Sequence, residues 1–217
     1  RALLEDTKAI SYMAKTPFKR QDMLRNLIAV SVTAALLAIT SSGCSVSPPS
    51  NPNNLCSIFQ EKDSWYSAAH EVHDKYGVPI HVAMAIMYQE SSFVEDAKPP
   101  MRWFLFIPYG RGCSAYGYAQ AQDPVWEDYL DEAGSFFSDR DDFVDALDFI
   151  AWYMTKTKEA NGIALSDAYN QYLNYHEGWN GFKNGTYRSK DWLLKAARSV
   201  QQRADSYKQQ LLHCDLY

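Results

Sequence analysis

Residues 78–93 read V-P-I-H-V-A-M-A-I-M-Y-Q-E-S-S-F, an apolar run that opens on a proline and closes on a single carboxylate. Pro79 suits the first turn of a helix, where its missing N–H would have no partner in any case. Val82, Ile86 and Glu90 recur at i, i+4 and i+8, with Ala83 and Met87 beside them, so Glu90 falls on the stripe that faces the core. A carboxyl on such a face is desolvated, which disfavours its charged form and raises its pKa, the property a general acid needs near neutral pH. A helix-end glutamate that swings out to solvent, or pairs with a Lys or Arg, is the plainer alternative.

Outward from this helix the chain divides into a leader and one domain. Its 217 residues, 47% hydrophobic and 14% aromatic, suffice for a single domain with a sizeable core. Residues 1–43 differ in kind. Lys19, Arg20 and Arg25 precede an uncharged run over 27–39, followed by Ser41-Ser42-Gly43-Cys44. This is the pattern of a secretory signal, shorter than the roughly 20 apolar residues of a membrane span. Gly43-Cys44 resembles a bacterial lipobox, with Ser41 where Leu is usual, so Cys44 is expected to be lipidated and to become the mature N-terminus. An ordinary signal peptide is the alternative, and Met23 is a natural start that leaves 1–22 upstream. Of the 21 Lys plus Arg and 26 Asp plus Glu, residues 44–217 keep 15 and 23, a formal net charge of about −8. That balance argues against nucleic acid, or an anionic membrane surface, as a partner held by net charge.

Residues 45–54, S-V-S-P-P-S-N-P-N-N, offer nothing to bury, so 44–54 reads as a tether and 55–217 as the folded domain. Trp65, Ala68, Ala69, Val72 and Tyr76 keep helical spacing up to a stop at Gly77. His70-Glu71-Val72-His73 falls one residue short of H-E-x-x-H, and no Cys/His ligand spacing is present, so no metal is expected. Beyond Phe93, the apolar stretch 103–107 is bounded by Pro and Gly and predicts a strand or hairpin arm. Its Trp103, Phe104 and Phe106 either line a carbohydrate cleft or pack on the core. The segment 113–122, C-S-A-Y-G-Y-A-Q-A-Q, is small and amide-rich. Gly117 permits close backbone approach there, while Gln120 and Gln122 both donate and accept hydrogen bonds.

Asp123 as N-cap and Pro124 open a helix to about residue 133. The stripe Phe143, Ala146, Leu147, Ile150, Ala151 and Met154 predicts another over 141–159, closed by Asn161-Gly162. Ser166 caps a helix carrying Tyr169, Tyr172, Leu173 and Tyr175, residues 180–188 form a turn, and Ser189 caps a last helix over 192–212. The expected architecture is mainly α, six helices with at most one small hairpin or sheet. Cys56 and Cys214 lie at the two ends of the mature domain, where a bridge would tie both termini in an oxidising compartment and leave Cys113 free.

Three short motifs then stand in order. Glu90-Ser91 closes the apolar helix, S-A-Y-G-Y-A-Q covers 114–120, and N-Y-H-E-G covers 174–178. Together they resemble the soluble-lytic-transglycosylase catalytic domain, family 1, of glycoside hydrolase family 23, grouped with goose-type lysozymes and here in a lipoprotein subgroup. The family's motifs are E-S, with Glu as the one catalytic carboxylate, then S-x-x-G-L-M-Q and A-Y-N-x-G. Here Tyr118-Ala119 replaces Leu-Met, His176 stands where Asn is usual, and the interval from Glu90 to Gln120 is lengthened by the aromatic stretch.

The resemblance implies a lysozyme-like helical fold and cleavage of the MurNAc-β-1,4-GlcNAc bond of peptidoglycan with 1,6-anhydro-MurNAc formation. It makes Glu90 acid and then base, and gives Ser91, Ser114, Gly117, Gln120, Tyr175 and His176 to the substrate. Trp103, Trp179 and Tyr116 would supply stacking for a polymer that an acidic domain cannot hold by charge. No cofactor is implied. The expected partners are glycan strands and, through the lipid on Cys44, a membrane. The expected place is the bacterial envelope facing the periplasm, with the outer membrane favoured because Ser45 is not the Asp of inner-membrane retention. Two alternatives remain at this point: a lysozyme-type hydrolase using Glu177 or Asp123 to activate water, and a non-catalytic lipoprotein that binds glycan through the same cleft.

Overall fold

Seven α-helices and one two-stranded antiparallel sheet make up the regular structure among residues 46–216, the part described by the computed structural model. In chain order they are α1 (Leu55–Glu61), α2 (Asp63–Tyr76), α3 (Ile80–Ser91), β1 (Met101–Phe104), β2 (Ile107–Arg111), α4 (Asp123–Glu132), α5 (Phe143–Asn161), α6 (Ala168–Lys183) and α7 (Asp191–Leu211). A short 3-10 turn, Thr186–Ser189, leads into α7. The signal, the lipidation site Cys44 and the start position all fall outside the described residues.

Helix α5 is the hub. Asp142 caps its start by accepting from the Val144 and Asp145 amides, and Gly162 ends it in the left-handed conformation. Buried residues cover most of its circumference from Phe143 to Thr157, because α2, α3, α4 and α6 all pack around it. Helix α3 lies against α5, α6 and α7 and is buried continuously from Val82 to Met87. It stops at Ser91 through two successive non-glycine residues with positive φ, Ser92 at 54° and Phe93 at 62°. Phe93 is fully buried against Trp65 and Tyr88, and that anchorage offsets the backbone strain. The consequence is a sharp stop that leaves Glu90 in the final turn.

Several boundaries differ from expectation. Helix α1 is an addition, too short for its apolar period to show in the sequence. Asp167 rather than Ser166 caps α6, by accepting from the Asn170 amide at 3.0 Å. Ser189 belongs to the 3-10 turn, and Lys190 precedes α7 without a side-chain cap. Gln122, not Asp123, occupies the cap position of α4. Helix α6 also runs on to Lys183, through a kink at Gly178 (φ 72°, ψ 163°), where a turn was expected from residue 180.

The larger correction concerns the tether. Residues 49–54, expected as part of the tether, are seated on the folded body. Pro49 is buried. Arg203 donates to the Pro52 carbonyl (3.4 Å) and to Asn53 Oδ1 (3.0 Å), the Tyr207 hydroxyl donates to the Pro52 carbonyl, and Gln210 donates to the Asn53 carbonyl at 3.1 Å. Asn54 then caps α1 through the Ser57 amide at 3.1 Å. The strip has little to bury, but its carbonyls are acceptors, and α7 presents donors at 203, 207 and 210 along one face. Cys56 and Cys214 form a disulfide just beyond it, with Cα atoms 5.7 Å apart.

The aromatic stretch forms the β1–β2 hairpin, with Met101 opposite Arg111 and Phe104 opposite Ile107 and an irregularity between Arg102 and Trp103. Leu105 (78%), Phe106 (92%) and Ile107 (67%) are exposed at its tip. Packing of Phe106 on the core, one of the two expectations, is therefore excluded.

Candidate active site

The last turn of α3 faces α6. Glu90 is partly buried there and accepts a hydrogen bond from the Tyr172 hydroxyl. Desolvation by the packed apolar helices lifts the Glu90 carboxyl from the ordinary 4.5 to about 7, and the Tyr172 donor pulls in the opposite direction. Burial, reinforced by the Glu90 charge, pushes Tyr172 and Tyr175 well above the usual phenol range. Both rings therefore stay neutral, as donors, across the range in which Glu90 titrates.

The segment 114–122 wraps beside this pair. Gly117, at φ 77°, donates to the Ala97 carbonyl, and a Cβ on it would sit 1.9 Å from the Arg140 carbonyl oxygen. Only glycine fits there. Arg140 closes the loop, donating to the Ala121 carbonyl at 2.9 Å and pairing with Asp123 at 2.8 Å. Gln120, itself at φ 49°, donates to the Ala97 and Gly117 carbonyls at 2.8 and 2.9 Å. Its carbonyl oxygen is what the amide still has to offer a ligand. Tyr175 crosses from α6 and donates to the Ala119 carbonyl at 2.6 Å, tying the second motif to the third.

Between these parts lies a cavity of about 250 Å³ lined by Gln120, Gln122, Tyr153, Tyr175, His176 and Glu177, among others. Glu90 is not on its described lining, but the lining residue Tyr175 lies within its electrostatic influence. Glu177 is the one carboxylate among the described lining residues. Its side chain is only 3% exposed, and it accepts from Lys190 at 2.6 and 2.9 Å, from Thr186, and from the His176 ring at 3.0 Å. Burial works to raise its pKa, but these donors prevail and hold it down at about 2. Glu177 is therefore a fixed anion of the cavity wall and not a proton donor.

The expected substrate residues divide. Gln120, Tyr175 and His176 line the cavity. Ser91 is buried and donates back to the Met87 carbonyl at 3.3 Å, and Ser114 Oγ accepts from the Asp123 amide at 3.0 Å. Neither serine lines the cavity, and Gly117 acts through backbone shape. Of the rings expected to stack on sugar, Trp179 lies on Tyr153 at 5.0 Å with its Nε1 donating to Thr157, and Tyr116 donates to Asp141 at 2.7 Å. Trp103 belongs to β1. Tyr172 is the residue that the motifs did not single out. Its position three residues before Tyr175, on the same helix face, is the signal that could have found it.

An acid desolvated at a helix end thus faces a tyrosine pair and a glycine-pinned loop. The chain matches the model of the transglycosylase SLT domain over residues 32–214. It belongs to that family. No curated protein and no solved structure matches it. The mainly helical SLT domain with its small antiparallel sheet is lysozyme-like, and lytic transglycosylase activity on peptidoglycan is the general activity that goes with it.

Proposed function

We propose that the protein is a lytic transglycosylase that cleaves the MurNAc-β-1,4-GlcNAc bond with Glu90 as its sole acid and base. The observation that carries this reading is the Glu90 carboxyl lifted to about 7 by burial beside the cavity-lining Tyr175, while Glu177 in the cavity wall is locked as an anion. Glu90, protonated, donates to the glycosidic oxygen as the C1–O bond breaks, leaving GlcNAc with a free 4-hydroxyl. The acetamido group of MurNAc supports the oxocarbenium-like centre. The MurNAc 6-hydroxyl then attacks C1 and returns its proton to the Glu90 carboxylate, which closes the 1,6-anhydro ring and consumes no water.

Tyr172 keeps the carboxyl oriented, and Gln120, Tyr175 and His176 form the wall against which the sugar lies. A two-carboxylate hydrolytic route needs a second acid as nucleophile or to activate water. Both candidates are engaged: Glu177 with Lys190, Thr186 and His176, and Asp123 with Arg140. Their engagement favours the water-free route.

The test is digestion of purified sacculi by the wild-type protein beside Glu90→Gln, with products read by mass spectrometry. The wild type is expected to release muropeptides lighter by one water than reducing-end products, and Glu90→Gln to lose at least about a hundredfold in rate, the low end of what a general acid–base contributes. Soluble products from Glu90→Gln at the wild-type rate, or reducing-end products from the wild type, would overturn the reading.

A further inference from the structure

The β1–β2 hairpin contributes none of the described cavity-lining residues. Its turn holds Leu105 in the left-handed region (φ 55°) and displays Leu105, Phe106, Ile107 and Pro108 to solvent. Water-exposed leucine, phenylalanine and isoleucine at one point of a hydrogen-bonded hairpin form a concentrated apolar tip, the kind of surface that marks an interaction site. Behind the tip stand cations. Arg102 and Arg111 are exposed on the two strands, Lys98 at the entry to the hairpin is exposed, and no Asp or Glu occurs between residues 97 and 122. Arg111 donates to the Pro99 carbonyl and Lys98 lies 4.9 Å above the Tyr116 ring, so these charges are held at the hairpin base.

We propose that this hairpin is a lipid-surface contact, its tip entering the outer acyl region of an anionic bilayer while Arg102, Arg111 and Lys98 meet the headgroups. Charge complementarity selects this occupant. Residues 44–217 are strongly acidic as a whole, so an anionic surface repels most faces, and the locally cationic hairpin sets the one orientation in which apolar insertion and headgroup pairing coincide. The net charge weakens long-range attraction without removing this short-range match, because screening confines each headgroup contact to about a nanometre.

The test uses the full chain carrying Cys44→Ser, so that exposed Cys113, a few residues past β2, holds a polarity-sensitive dye. The probe is a vesicle of zwitterionic lipid with or without phosphatidylglycerol. A dye reporting from beside the hairpin separates its contact from any contact made by residues 27–39. The expected result is a blue shift on anionic vesicles that lipid-borne bromine quenches. Phe106→Asp with Ile107→Asp should abolish it, and Phe106→Ser should weaken it by about tenfold in lipid concentration, the effect of removing one large apolar side chain from lipid. Arg102→Gln and Arg111→Gln should each cost about fivefold, on anionic vesicles alone. No shift in the wild type, or an equal shift in a tip variant with unchanged circular dichroism, would overturn the proposal. So would a wild-type dimer that the tip variants convert to monomer, which would assign the tip to a second copy, or a loss of sacculus binding with the vesicle signal intact, which would assign it to glycan.

Discussion

At Glu90 two influences oppose each other, burial raising the pKa and the Tyr172 hydroxyl lowering it, with the balance at about 7. A general acid must be protonated, so activity should fall as pH rises through that value. Tyr172→Phe removes a donor that favours the charged form, so Glu90 should hold its proton to higher pH. The alkaline limb of muropeptide release should then move upward by about one pH unit, the equivalent of one hydrogen bond to a charged group. A limb that stays in place would deny Tyr172 this role. Glu90 itself was legible in the sequence because the i, i+4, i+8 stripe put an acid among core residues. Tyr172 was not. Its role arises only once α6 lies across the end of α3, and a helical period says which face a residue occupies without saying what that face meets.

The element that gives the site its shape is the 114–122 loop, and glycine is its necessary residue. Gly117→Ala combines a positive φ with a Cβ 1.9 Å from the Arg140 carbonyl. It should cost about 3 kcal/mol of stability, measured by denaturant unfolding, because both strain and overlap must be relieved by moving the backbone. A change under about 0.5 kcal/mol, the range of ordinary surface substitutions, would show that the loop adapts. The need for glycine was readable from S-A-Y-G-Y-A-Q, but its cause, a carbonyl 23 residues further on, was not. Helix α6 shows a similar division. The sequence located Gly178, yet the kink there required the helix to resume beyond it, and Glu177 could be recognised as a held anion only when Lys190 and Thr186 came back beside it. The hairpin reversed the usual inference from composition, because aromatic content predicts burial and here the turn holds its apolar residues out.

For the molecule as a whole, the decisive contacts join the start and the close of the described residues. The Pro- and Asn-rich strip read as a tether because its composition has little to bury, but its carbonyls are claimed by Arg203, Tyr207 and Gln210, and hydrogen-bond acceptors leave no period in a sequence. Beside it, the Cys56–Cys214 bond joins positions 158 residues apart. Cross-linking so long a span restricts the unfolded chain, so reduction should lower unfolding stability by about 2–5 kcal/mol. The same bond turns the chain from Cys56 to Cys214 into a covalent ring. A protease that cuts once at the exposed 105–107 tip opens this ring into a line without dividing it. The cut protein should keep its full mass on a non-reducing gel and fall into two fragments only when thiol is added, while a cut outside the ring would shed a fragment under either condition.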